Sequence, residues 1–235
     1  MRPVLDPASV VVPQAEAELR YLYEPGLELN YRSSLSVFRS ADASPRFTSK
    51  SKEEFTTDVR LKVIEQDPSD EGYYVLTYHT PVERQVDGQP APPGGPRILY
   101  TKHTPLGQIL EASDPAEASL LLLPEQPVGP GSEWRVTQLQ AVQGRIQPIE
   151  VVSHYRVVGL DGHRLTIRFD ADEVLFRGDS AATEGNVYTV MGKGTFCFDV
   201  EAGHLVSLET ESTMTSKEED LLLEVIAMHT MTLQE

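Results

Sequence analysis

The 235 residues include 40% hydrophobic side chains, enough for a sizeable core, so a globally disordered chain is excluded. Against 36 Asp and Glu stand only 20 scattered Lys and Arg, a formal charge of -16 that repels phosphate backbones and excludes nucleic acid as the expected partner. A single cysteine, Cys197, excludes an intramolecular disulfide or a cysteine-built metal cluster.

Residues 1–18 contain Pro3, Pro7 and Pro13 and no sustained period, and read as a leading arm. The start lacks the apolar core of a signal peptide, and no transmembrane segment is expected. The compartment expected by default is cytoplasmic, or the cell envelope if a signal has been trimmed away. Alternation of Leu27, Leu29, Tyr31, Leu35 and Val37 against Glu28, Asn30, Arg32, Ser34 and Ser36 predicts a half-buried strand. Phe55, Thr57, Val59, Leu61 and Val63 alternate likewise, and the turn residues between Asp67 and Gly72 lead into a strand over 73–80, completing a hairpin. Residues 86–96, rich in proline and glycine, read as an open loop unable to sustain a ladder. Short strands follow at 97–102 and 108–112 around Pro105-Leu106-Gly107. Residues 114–123 are the best helix candidate, with Ser113 or Asp114 as cap and Pro115 in the first turn.

Beyond Pro124, strands are predicted at 134–142, 151–158, 164–170, 187–190, 194–200, 205–212 and 221–233. Tight turns fall at Asp161-Gly162 and Ala202-Gly203. In the last strand Leu221, Leu223, Val225, Ala227, His229, Met231 and Leu233 share one face. Pro25-Gly26 and Pro130-Gly131 each open a long strand, and each half continues through an acidic-turn hairpin to a glycine turn, Gly107 or Gly203. That order predicts an internal repeat. The expected organisation is a leading arm (1–18), a first β meander (19–113), a short helix and linker (114–130) and a second β meander (131–235), the two meanders sharing one compact domain if they pack together. The fold class expected is all-β: a large antiparallel curved sheet, half-barrel or sandwich, with at most one or two short helices.

Leu123-Pro124, Pro127-Val128-Gly129, Gly131-Ser132-Glu133-Trp134, Tyr155, the run from Gly192 to Asp199 and Gly203-His204-Leu205 together resemble uncharacterised bacterial all-β lipoprotein-like domains, mainly over residues 120–212. The resemblance implies a curved sheet related in shape to carriers that hold an acyl chain in a half-barrel. The chain departs from that pattern in lacking a signal peptide and a lipidated amino-terminal cysteine, and the resemblance assigns no functional residue.

No catalytic residue and no metal ligand is assigned. The histidines His79, His103, His154, His163, His204 and His229 show no metal-site spacing. His79-Thr80-Pro81 and His103-Thr104-Pro105 each read as a strand closed by proline, with a shared site across the sheet as the sharper alternative. Gly192-Lys193-Gly194 lacks the helix of a phosphate loop and reads as a strand kink or bulge. No Gly-x-Ser-x-Gly elbow is present. Asp170, Asp172 and Glu173 are the candidates for paired carboxylates. Cys197, between two phenylalanines, reads as a packing thiol, Trp134 as a core anchor, and residues 216–220 as a solvated acidic turn. The expected function is that of a non-enzymatic binding or carrier protein, with an apolar ligand or partner segment on a sheet face and no cofactor. An interaction subunit of a protein assembly is the alternative, ahead of an enzyme whose site is gathered from separate strands.

Overall fold

The computed structural model describes residues 16–44, 47–69, 72–114, 121–140, 148–178, 186–218 and 221–234. Among them are twelve strands: β1 (Glu28–Ser44), β2 (Phe47–Gln66), β3 (Tyr73–Val86), β4 (Gln89–Ala91), β5 (Arg97–His103), β6 (Ile109–Ala112), β7 (Glu133–Gln140), β8 (Ile149–Asp161), β9 (Arg164–Arg177), β10 (Val187–Asp199), β11 (His204–Glu218) and β12 (Leu221–Leu233). All belong to one antiparallel sheet, ordered β6-β5-β3-β2-β1-β12-β11-β10-β9-β8-β7, with β4 branching from β3. The expected all-β curved sheet is thus the fold found. The first and last strands of the chain pair in the middle of this sheet, at the β1–β12 ladder, where Val37 faces Ala227. The described residues contain no helix. Of the segment expected to be helical, 115–120 lies outside the described residues, and Leu121–Leu123 is non-helical.

Several strands run longer than alternation predicts. Gly192 and Gly194 remain in the ladders instead of ending a strand, so the two short segments expected at 187–190 and 194–200 are one strand, β10. A side chain at Gly194 would collide with the Glu209 carbonyl and the Phe169 ring. Glycine is therefore what lets the neighbouring strand and ring approach. A register shift beside Gly192 marks the expected bulge. The 86–96 segment is no open loop throughout, since Asp87 and Gly88, with φ of 50° and 77°, make a tight turn that folds β4 onto β3. Ser216–Glu218, expected in a solvated turn, instead extend β11 against β12, with Ser216 buried; 219–220 lie outside the described residues.

Two matched turns lead into β1 and β7. In each a Pro-Gly pair occupies the centre of a turn, closed by Leu27 N–H to Glu24 O and by Ser132 N–H to Gly129 O, with glycine φ of 88° and 90°. Gly26 then donates to the Val63 carbonyl and Gly131 to the Val157 carbonyl, both at 2.9 Å.

The curvature follows from what the sheet wraps. Residues 19–23 form a strap whose consecutive amides reach opposite parts of the chain: Tyr21 donates to the Pro105 carbonyl (2.7 Å) and Leu22 to the Gly203 carbonyl (3.0 Å). The Tyr21 ring lies 5.6 Å from that of His103 on β5 and 5.5 Å from that of Phe198 on β10. Six strand spacings separate β5 from β10, roughly 29 Å in a flat sheet. The sheet must bend sharply to place both beside one ring. Leu19, Tyr21 and Tyr23 are buried there with Leu29, Tyr31, Val63, Val75, Val157, Leu165, Ile167, Phe196 and Phe198. A second, smaller cluster joins Ile149, Val151, Phe176 and Tyr188, with Val174, Val190 and Met214 packed on it.

His103 sits under the strap, 1% exposed, edge-on to the rings of Tyr21 and Tyr23 and facing Tyr73. Desolvation pushes its pKa below 6.5, partly offset by the Thr104 carbonyl at Nδ1. Folding therefore favours neutral His103. The unfolded chain takes up the proton as pH falls through about 6.5, and the folded chain does so only at lower pH, so stability is lost downward from there by up to about 1.4 kcal/mol per pH unit. Burial raises the pKa of Tyr21 and Tyr23, so neither ionises over that range. Thermal melts between pH 7.5 and 5 (roughly the histidine range) should show a falling Tm, with a shallower fall in His103→Leu; parallel profiles would refute the assignment.

Candidate ligand-binding face

Residues directly opposite in a ladder share a face, and alternate residues along a strand do too. The register therefore traces the strap-bearing face beyond the strap. One row runs Glu53, Val37, Ala227, Ser212, Gly192, Ala171, Ser153, from β2 through β1, β12, β11, β10 and β9 to β8. From Ala227 onward every member is small. The flanking row toward the strap carries Phe55, Leu35, His229, Thr210, Gly194, Phe169 and Tyr155, and the opposite flank carries Arg39, Val225, Met214, Val190 and Val174.

Phe169 and Tyr155 belong to the strap cluster, whereas Val190, Val174 and Met214, together with Ala171 of the row itself, pack on the second. The small row is thus a furrow between two packed walls. From Val37 to Ser153 it crosses five strand spacings, roughly 24 Å. Leu35, Phe55, Val225 and Ala227 at its β2–β12 end are only partly buried and pack in neither cluster. Ser153 closes the far end, buried. His229 lies beside the furrow, where its Nε2 is 2.9 Å from Ser33 Oγ and burial lowers its pKa.

Charged side chains meet at the open end. Glu53 accepts from Arg39 (2.7 Å) on one carboxylate oxygen and from Arg84 (3.2 Å) on the other. Arg84 also lies over the Phe55 ring, 5.6 Å from its centroid, and its Nε is buried without a hydrogen-bond partner. These residues were not singled out from sequence. Arg39 stood on the apolar face of a period-two strand, which was the available signal, while a bulge near Pro81 shifts Arg84 onto that face.

The other candidates are not assembled into a site. His79 pairs with Arg97 and His103 with Tyr73 at opposite ends of the β3–β5 ladder, roughly 20 Å apart. Asp170, Asp172 and Glu173 are exposed on β9, and Asp172 takes its partner from His154 at 3.0 Å. Lys193 pairs with Glu211 at 3.1 Å. Burial raises the Cys197 pKa, in keeping with a packing thiol. Trp134 stacks on Tyr155 at 5.1 Å. A groove of about 500 Å³ is lined mainly by residues of the opposite face, among them Asn30, Asp58, Arg60 and Tyr78. Its charges are already engaged, Asp58 with Arg32 at 2.7 Å and Arg60 over the Tyr78 ring. No cluster of three or more His, Cys, Asp or Glu suited to a metal occurs among the described residues, and no described helix is long and apolar enough to cross a membrane.

This geometry defines a large open antiparallel sheet, bent around a strap, with a row of small side chains crossing its inner face between two packed clusters. No protein-family model matches the chain, and no curated protein matches it in sequence. Among solved structures it is similar to lipovitellin, in a structure describing lipid–protein interactions, with a TM-score of 0.51 and 10% identity. The likeness covers 91% of this chain but only 26% of the lipovitellin chain, so it concerns one portion of a far longer protein. At that identity it shows the fold alone.

Proposed function

We propose that the chain is a non-catalytic binding module that holds an elongated apolar ligand in the inner-face furrow. The observation that carries this reading is the row of small side chains between two packed walls, bordered by apolar residues that pack in neither. Leaving such a surface bare costs about 25 cal/mol for each Å² of apolar area. A ligand covering it recovers that term, and the furrow's length suits an extended acyl chain. The fold shared with lipovitellin, whose structure describes lipid–protein interactions, supports the same reading. The two meanders are, in this proposal, copies of one unit; the twin Pro-Gly turns and their equivalent hydrogen bonds to Val63 and Val157 support it.

Native mass spectrometry of the protein from its own host, followed by organic extraction, tests the proposal. The expected result is a stoichiometric lipid-like mass released by solvent. Absence of any bound mass, together with failure to take up palmitate or cetyl alcohol, would overturn it.

A further inference from the structure

The structure assigns the ligand's chemical class: an amphiphile with one long chain in the furrow and an anionic headgroup between Arg39 and Arg84. This inference rests on the binding-module reading and specifies the polar end of the same site. The argument is electrostatic. In a chain of charge -16, two guanidinium groups stand on this face at the β2–β3 end of the row, where Glu53 is the carboxylate that pairs with both among the described residues. The local site is therefore short of one negative charge. Glu53 uses one oxygen for each arginine, so neither guanidinium has a bidentate partner. Arg84 holds a buried Nε donor with no acceptor, next to the ring of Phe55. A buried donor without an acceptor is costly, and a carboxylate or phosphate monoester offers the oxygens that would satisfy it.

The register gives the ligand its direction. Glu53 is the member of the furrow row on β2, Arg39 lies on one flanking row, and Arg84 faces Phe55 of the other. The anion thus sits at the row's origin and the chain extends over Val37 and Ala227 toward Gly192 and Ala171. At the β8 end, Ser153 is buried and offers no comparable charge.

The test compares palmitate with cetyl alcohol, matched in chain and differing in headgroup charge, by calorimetry at neutral pH. Inorganic phosphate serves as a chainless anion. Palmitate should bind at least about 10-fold more tightly than the alcohol, the ratio expected of one charge-assisted contact. Arg84→Met should erase that preference while leaving alcohol binding in place. Glu53→Gln removes the competing carboxylate and should strengthen palmitate binding about threefold or more. This gain distinguishes the inference from damage to the fold. Lys193→Gln, on the other face, should change neither ligand's affinity.

Equal binding of palmitate and alcohol, unaffected by Arg84→Met or Glu53→Gln, would overturn the headgroup assignment and leave the apolar-ligand reading standing. Failure of both probes to bind would overturn both. Phosphate binding more tightly than palmitate, with the same dependence on Arg84, would identify a free-anion site and overturn the amphiphile.

Discussion

Tyr21→Ala is expected to lower the unfolding free energy by about 3–5 kcal/mol, the range found for truncating a buried aromatic side chain. The ring is fully enclosed, touching Tyr23, His103 and Phe198, and its hydroxyl donates to the Leu121 carbonyl at 3.4 Å. Those partners come from the strap itself, β5, β10 and the 121–123 segment. The cavity would open where the bent ends of the sheet converge, and the collapse that limits such losses elsewhere is opposed by the backbone bonds to Pro105 and Gly203. At about 2–4 °C per kcal/mol for a chain of this size, the melting temperature should fall by on the order of 10 °C. Ile98→Ala, at a site 61% exposed, should cost less than about 0.5 kcal/mol. Denaturant titration of both variants measures the difference. A loss below about 1 kcal/mol for Tyr21→Ala would mean that the strap does not hold the bend.

Ala227→Trp is expected to abolish ligand uptake while leaving the fold intact. Ala227 stands between Val37 and Ser212 in the small row and is partly exposed, so an indole there would lie in the furrow instead of a filled core. Displacing about four methylenes of a bound chain forfeits about 0.8 kcal/mol each, on the order of a 100-fold loss of affinity. Palmitate and cetyl alcohol should lose equally, because the block acts on the chain and not on the headgroup. Stability should stay within about 1 kcal/mol of the parent, since Ala227 is partly exposed and packs in neither cluster. Calorimetry with both ligands, paired with a thermal melt, provides the check. Undiminished binding would show that the chain does not run over Ala227.

The class of fold was legible because strands buried on one face alternate, and because Pro-Gly before β1 and β7 and Asp-Gly before β9 mark turns, whereas Pro81, read as a strand end, stays inside β3 at a bulge. Leu29, Tyr31, Leu35 and Val37 declare their shared face locally, and the sequence of β12 declares Ala227 and His229 in the same manner. The strap was less legible. Leu19, Tyr21 and Tyr23 alternate too, but three apolar residues in an otherwise weak stretch do not reveal that they fill the bend of a sheet. Strand ends failed where glycine looked like a stop: Gly192 and Gly194 stay in β10 because both neighbouring strands hold them in register.

Alternation, turn chemistry and charge thus determined an acidic chain that must form a large antiparallel sheet with one apolar face. Only the tertiary structure decided which parts of that face are covered. The furrow joins Val37, Ala227, Ser212, Gly192, Ala171 and Ser153 through ladders between strands far apart in sequence, and no local period relates them. The arginine pair has the same origin: a bulge in β3 sets the face that Arg84 takes, and the β1–β2 and β2–β3 registers bring Arg39 and Arg84 to one carboxylate. Register is a property of paired strands, fixed when hydrogen bonds and side-chain packing select one alignment. A single strand's sequence specifies its faces but not its neighbours.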